Sequence, residues 1–335
     1  MQTASRQSRL DFFTKHFPIP SYLTLSPVAL HLSVDTVRIL TLEDTKQGKI
    51  PHIFKEVGFK NDCKFLTDSS DVKECNELKA VLIALKKEFK IKYANVSLPE
   101  AKTYIFKTTI PRAALDNITE AISFKLEENV PLPPQDVMFD YTILNKDRGH
   151  DNVDVVVSAL PKNVIQAYST LFKEVGITPV AFEPESRALA RAVIASYDHH
   201  PYLILYLGES RIGVAIVEHN AVNYTTSFPI SSKEITGDFN GPAANGFKEH
   251  LNKLLIYWFT NNHDPEDREK IQNVVLTGSY AMSPGLAAFL ESKLKINVQV
   301  ANVWKNCFDI NKNVPPIPQK DSLRYAIAVG LALNI

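Results

Sequence analysis

Glycine is scarce, with 12 residues in a chain of 335, roughly half the usual ~7% share. Gly-rich phosphate cradles, which need glycine where backbone N–H groups approach a phosphate closely, are therefore expected to be few. Cysteine is scarcer still: Cys63, Cys75 and Cys307 are the only three. They are odd in number and far apart, without a CxxC pair or a histidine at zinc-ligand spacing, so they read as reduced thiols and no metal site is expected. An excess of one charge is also missing. With 37 Lys+Arg against 37 Asp+Glu the formal net charge is zero, which argues against nucleic acid as a partner, because neutralised phosphates supply most of the sequence-independent affinity of such binders. Long apolar runs are absent, since Leu254–Phe259 and Ala326–Leu333 fall well short of the ~18 residues of a spanning helix. Arg6 and Arg9 are followed by no apolar region and no small-residue cleavage site, so a cleaved secretory signal is not expected and the chain reads as cytoplasmic.

What is present is an ordinary globular composition, 45% hydrophobic and 22% charged, in a chain longer than one core normally accommodates, so at least two domains are expected. Residues 1–21 read as an N-terminal arm in which Leu10, Phe12, Phe13 and Phe17 line one side of a short helix ended by Pro18 and Pro20; 9–17 is the one candidate for membrane contact. From Tyr22 a strand hairpin is expected over Val28–Leu32 and Thr36–Leu42, then an amphipathic helix over about 71–89 capped by Ser70 or Asp71, then a strand Tyr93–Leu98. Residues 102–183 have a different rhythm, β-α-β-β-α-β: strand Thr103–Ile110, helix Pro111–Asn129, strands near Val137–Leu144 and Val153–Leu160, helix Lys162–Val175 and strand Thr178–Phe182. Val130-Pro131-Leu132-Pro133-Pro134 fits an extended connection inside this module. A helix through Ala188–Ala195 follows. The opening pattern then recurs, with strands Tyr202–Leu207 and Ile212–Val217 about a Gly208-Glu209-Ser210 turn, a helix over Lys248–Phe259, a charged run Asp264–Lys270, a strand Val274–Thr277 and a helix Ser322–Leu333. Two strand–turn–strand openings, each followed by helix and strand, suggest a duplicated α/β unit.

Three segments carry a resemblance: Val28-Ala-Leu-His-Leu-Ser33-Val-Asp-Thr-Val-Arg-Ile39, Tyr202-Leu-Ile-Leu-Tyr-Leu-Gly208-Glu-Ser-Arg-Ile-Gly-Val214 and Asn273-Val-Val-Leu-Thr-Gly278-Ser-Tyr-Ala-Met-Ser-Pro-Gly285-Leu. They look like worn copies of the two phosphate hairpins and the adenosine loop of actin-like ATPases, in which backbone N–H groups face the phosphates and aspartates organise Mg²⁺ and water. Within that superfamily the chain resembles the PilM family of type IV pilus assembly proteins, relatives of the cell-division protein FtsA. The likeness extends through Leu98-Pro99, Glu120–Leu132, Phe139-Asp140-Tyr141, Lys173–Ala181, Ala188–Ala192 and Ala326–Leu333, all in the family's order.

The resemblance implies a two-domain actin-like α/β fold with a small SHS2-like β-α-β-β-α-β module at 102–183, flanked by a first actin-like subdomain at 22–101 and a second domain at 184–335 whose last helix, 322–333, returns to the first. It implies ATP and Mg²⁺ as cofactors, and nucleotide positions at Ser33, Asp35, Thr36, Gly208, Ser210, Gly278, Ser279, Pro284 and Gly285. The departures fall on those loops. The family's hairpin aspartates align with His31 and Tyr206, its first-hairpin glycine with Ser33 and a loop glycine with Ser279. Losing preorganised charge of that kind commonly costs orders of magnitude in rate, so no catalytic residue is assigned, and a pseudo-ATPase is expected. The implied role is a cytoplasmic adaptor, peripheral to the inner membrane through its partners. It would bind the tail of a PilN-like bitopic membrane protein and other pilus platform proteins, with homo-oligomers left open. The alternatives are an active actin-like ATPase or small-molecule kinase, for which no acidic base is apparent, and an FtsA-like membrane tether, which would carry an amphipathic helix beyond its last core helix. Glu183 and Glu185 are expected to cap a helix N-terminus. His199, His200 and His219 are expected in surface turns.

Overall fold

The computed structural model of the chain describes residues 27–60, 75–144, 151–261 and 269–334. The expected arm at 1–21 with its membrane candidate 9–17, Cys63, the helix cap at Ser70 or Asp71 and most of the charged run 264–270 lie outside the described residues.

The first half opens with three antiparallel strands, β1 (Val28–Leu32), β2 (Thr36–Thr45) and β3 (Gly48–Gly58). The first two are the expected hairpin. The third has no counterpart in the sequence reading, because Lys49, His52, Lys55 and Glu56 break its apolar pattern. Helix α1 (Asn76–Phe89) buries the stripe Leu78, Leu82 and Leu85 and leads into β4 (Tyr93–Leu98), parallel to β1.

A small sheet follows. After β5 (Tyr104–Pro111) the expected helix begins late, because Pro111 stays in the strand opposite Asn152 and Arg112–Asn117 form a 3-10 turn. Helix α2 (Ile118–Asn129) then buries Ile118, Ile122 and Leu126. With β6 (Val137–Ile143) and β7 (Asn152–Pro161) the sheet has, among the described residues, the antiparallel order β5-β7-β6, with β6 as an outer strand.

The bounds expected for this module are too wide. Helix α3 (Lys162–Val175) and β8 (Thr178–Pro184), read as its second half, leave it: β8 pairs in parallel with β4, and α3 buries Tyr168, Leu171 and Phe172 in one core with Leu78 and Leu82 of α1. The module is thus β-α-β-β, and residues 162–183 belong with the first sheet. Strand character is local, whereas the sheet a strand joins is decided by distant pairing.

The second half consists of α4 (Glu185–Val193), the antiparallel β9 (Tyr202–Leu207), β10 (Ile212–Glu218) and β11 (Ala221–Phe228), then α5 (Ser232–Gly237), α6 (Pro242–Asn261), β12 (Asn273–Thr277), α7 (Leu286–Leu294) and β13 (Asn297–Val300). The two large sheets run β3-β2-β1-β4-β8 and β11-β10-β9-β12-β13, the same arrangement strand for strand, so β9 is the counterpart of β1. After α8 (Gln319–Ser322), helix α9 (Ala326–Ala332) is buried along its whole length. It packs on β1, β2, β4 and α4. Asn95 of β4 donates its amide to the carbonyls of Leu331 and Asn334, at 3.2 and 2.9 Å. Gly330 approaches Ala188 of α4 so closely that an added Cβ would lie 1.7 Å from its carbonyl oxygen. No helix among the described residues is long and apolar enough to cross a membrane.

Candidate functional site: the junction between the two sheets

Directly opposed residues of antiparallel strands share one face of a sheet. In the first sheet His31 lies opposite Arg38 and Arg38 opposite Glu56, a charged row beside the β1–β2 turn. In the second, Tyr206 lies opposite Gly213 and Gly213 opposite Ser227. The rows meet: the His31 and Tyr206 rings stand edge to face with centroids 6.4 Å apart. These are the two positions at which the family resemblance implies aspartates.

Glu185, the first residue of α4, joins the halves. Its Oε1 is 3.3 Å from His31 Nε2, and its Oε2 lies 2.6 Å from Arg211 Nη2, in the turn before β10. The same Oε2 accepts the Glu100 backbone N–H at 3.2 Å, while Glu100 Oε2 accepts the Ser186 N–H at 3.0 Å. The side chains of His31 and Glu185 are only 1% and 7% exposed, so their ionisation is governed by burial and by each other. Burial holds His31 below its usual range against the pull of Glu185, so the ring is neutral near pH 7. Burial also favours the neutral acid at Glu185, but Arg211 and then His31 outweigh it and keep the carboxyl below its ordinary range. The Glu185 carboxylate in turn raises Arg211. Burial pushes both Glu100 and the Tyr206 phenol up. A second bridge crosses nearby: Glu56 takes Arg38 Nε at 2.6 Å and Arg324 Nη1 at 3.2 Å.

The positions expected to touch nucleotide occupy the three loops around this junction. Ser33 donates its N–H to the Thr36 carbonyl at 2.8 Å, and the Asp35 carbonyl accepts Phe59 N–H at 2.8 Å, closing a tight turn. The Thr36 hydroxyl is buried without a partner. Gly208 closes the second turn through Arg211, and Ser210 is exposed. Gly278, with φ +92°, is pressed on Leu207, where a Cβ would lie 2.6 Å from the carbonyl oxygen. Ser279 and the exposed Pro284 belong to the same loop. Gly285, with φ +81°, lies under the Phe239 ring, which is stacked on Phe289 with centroids 5.0 Å apart. The cavity beside Tyr206, Arg211, Glu185 and Glu100 has about 20 Å³ of space, room for about one water molecule.

A Mg²⁺-nucleotide needs carboxylates from the hairpins and open space between them. The hairpin positions here carry an imidazole and a phenol in mutual contact, and the nearest buried carboxylate is committed to Arg211. Asp35 and Glu209 keep a carboxylate in each turn, but the donor set at the two aligned strand positions, His31 and Tyr206, does not fit that group.

Neither of the two expected caps forms. Glu185 does not cap its own helix, since α4 has no side-chain cap, and Glu183 pairs instead with Arg191. Arg38, Glu56, Glu100, Arg211 and Arg324 carried no signal, because a lone charge in a strand or turn normally reads as surface. The histidines are close to expectation: the His199 and His219 rings lie 6.1 Å apart and His200 pairs with Asp198 at 2.9 Å. No group of three or more metal-binding side chains occurs among the described residues.

Near the small sheet a groove of about 490 Å³ lies between β6, β7, α4 and the β10–β11 turn. Thr142, Ser158, Val156, Ile194, Val217 and Val222 supply its walls, and Arg187 and Arg191 stand in it. Arg187 is paired with Asp140 of β6 at 3.1 Å.

The profile of the type IV pilus assembly protein PilM family matches residues 30–226 and 231–335. Among solved structures, a PilM–PilN type IV pilus biogenesis complex is similar at TM-score 0.76 and 17% identity, over 92% of this chain and 98% of that one. The cytoplasmic domain of EpsL, an inner-membrane component of the type II secretion system of Vibrio cholerae, follows at TM-score 0.50 and 13% identity, over 92% and 94%. No curated protein matches the sequence. Fold, order of motifs and family profile agree, and the chain belongs to the PilM family of type IV pilus assembly proteins.

Proposed function

We propose that this PilM-family protein is an adaptor of the type IV pilus inner-membrane platform, holding the cytoplasmic tail of a PilN-like bitopic partner and working without bound nucleotide. The observation that carries the reading is the groove between the small sheet and α4. Its ~490 Å³ lies within the ordinary range for ligand sites, and it combines aliphatic walls with Arg187, which can exchange its exposed partner Asp140 for an acidic group or a backbone carbonyl of an extended tail, while Arg191 stays held by Glu183 and the Gly330 carbonyl. Attachment to the membrane would come from the partner. The natural division of the chain on this reading is a first domain around β1–β4, α3, β8 and α9, a small module over β5–β7, and a second domain from α4 onward. The filled junction supports the nucleotide-free half of the proposal.

Isothermal titration with a synthetic tail peptide of a PilN homologue from the same organism tests the first half. Saturable 1:1 binding is expected, weakened tenfold or more by Thr142→Trp, which fills the groove from an exposed position; no binding, or binding indifferent to Thr142→Trp, overturns it. A thermal shift with millimolar Mg²⁺-ATP tests the second half, since a ligand at 100 times its Kd adds about 2.7 kcal/mol to the native state. No shift is expected.

A further inference from the structure

We propose that the His31–Glu185–Arg211 chain, with the His31–Tyr206 ring contact and the Arg38–Glu56–Arg324 bridge beside it, is a clasp that keeps the two halves closed with no nucleotide between them. The proposal rests on the nucleotide-free reading above and adds to it the residues that take over the closing role.

Three observations lead to it. The members come from opposite sides of the junction: His31, Arg38 and Glu56 from the first sheet, Tyr206 and Arg211 from the second, with Glu185 between. The positions are equivalent, because β1 and β9 occupy the same place in two sheets of one topology, so side chains at the ends of these strands are aimed at the shared cleft by the duplication itself. The chemistry is self-sufficient. Two carboxylates at these places would repel and need a cation between them, whereas a neutral imidazole, a phenol and one compensated Glu–Arg pair close the gap unaided. Glu185 is the central member, since its two oxygens meet His31, Arg211 and the Glu100 N–H, and Glu100 returns a bond to Ser186. A separate tie at the other end, Lys49 N–H to the Cys307 carbonyl at 2.9 Å, involves none of these side chains and would act as the hinge when the clasp is broken.

Hydrogen exchange on the full chain, read peptide by peptide, tests the clasp. In Glu185→Ala, segments 30–36 and 207–213 should exchange roughly tenfold faster or more through local opening, while the small-sheet strand β7 and helix α6 keep wild-type rates. Glu185→Gln, which keeps the shape and removes the charge facing Arg211, should give an intermediate acceleration of the same segments and serves if the alanine variant does not fold. Wild-type rates in these segments should be unchanged by millimolar Mg²⁺-ATP. Unaltered exchange at 30–36 and 207–213 in both variants overturns the clasp, as does equal acceleration everywhere, which would make Glu185 a general fold stabiliser. Protection of the same segments by Mg²⁺-ATP in the wild type overturns the nucleotide-free reading, by a result independent of either variant.

Discussion

The two large sheets share a topology and differ in what they bring to the place where they meet. The first presents His31, Arg38 and Glu56 in a row; the second presents Tyr206, Gly213 and Ser227, with charge only from the Arg211 turn. Duplication therefore preserved the backbone plan and left the two faces chemically unequal. A buried charge must be paired to persist: within the row Arg38 and Glu56 pair with each other, while His31 and Glu56 also reach groups outside it, Glu185 and Arg324. The two halves share a backbone plan without being chemically interchangeable where they meet.

The sharpest way to break the contact across the junction is Glu185→Ala, which takes the carboxylate from His31 and from Arg211, whose side chain is 20% exposed. The cost of orphaning one member of a buried pair, up to about 3–5 kcal/mol, is expected to fall on local opening of the junction, read from the exchange of segments 30–36 and 207–213; a change below about 1 kcal/mol there would mean the junction is solvated. Next comes Gly330→Ala. Its new Cβ collides with backbone of α4, which no side-chain rotation relieves, so about 3 kcal/mol or more should be lost, against little change for alanine at the solvent-facing Gly246, where nothing stands within 4 Å of the added atom.

The pH dependence sharpens the comparison further. His31 of the charged row is held below its usual range, and its counterpart Tyr206 is neutral throughout the physiological range. A depressed histidine contributes stability that is fully present above the unfolded-state value of about 6.5 and is lost as pH falls, because only the unfolded chain takes up the proton readily. Glu185, also depressed, adds a loss of the same sign at lower pH. Glu100 and Glu218, pushed up by burial, act in the opposite sense, so the test is a difference: the urea midpoint should fall more steeply, or rise less, between pH 7 and 5 in the wild type than in His31→Gln; identical slopes would contradict a buried neutral imidazole. The smallest effect is expected at Thr36, whose buried hydroxyl has no partner. Thr36→Val should change stability by less than about 0.5 kcal/mol and leave tail binding unaltered, whereas a hydroxyl serving a phosphate would register in any nucleotide assay.

Much of the architecture was legible in advance. Helix α3 follows from the spacing of Val164, Tyr168, Leu171 and Val175 and from Gly176, which takes the left-handed φ of +70° at its end. Strands β4 and β9 follow from short apolar runs between turn residues. The hairpin departures at His31 and Tyr206 also stood out, because a motif shows what it has lost. Strands β3 and β11 were not legible: one is interrupted by charge, and the other, Ala221–Phe228, carries Asn223, Thr225, Thr226 and Ser227 in place of an apolar run. Glu185 was visible as a residue but not as a partner, since the groups it meets are 154 positions earlier and 26 later in the chain.

Local pattern and motif order by themselves determined many of the elements, the duplicated α/β plan and the family, because periodicity and turn chemistry act over a few residues at a time. Tertiary structure alone decided that β8 joins β4 instead of the small sheet, that α9 packs against both the first sheet and α4, and that His31, Glu185 and Arg211 form one buried chain. Those outcomes depend on which distant surfaces meet, and on the energy of pairing charges once water has been excluded between them.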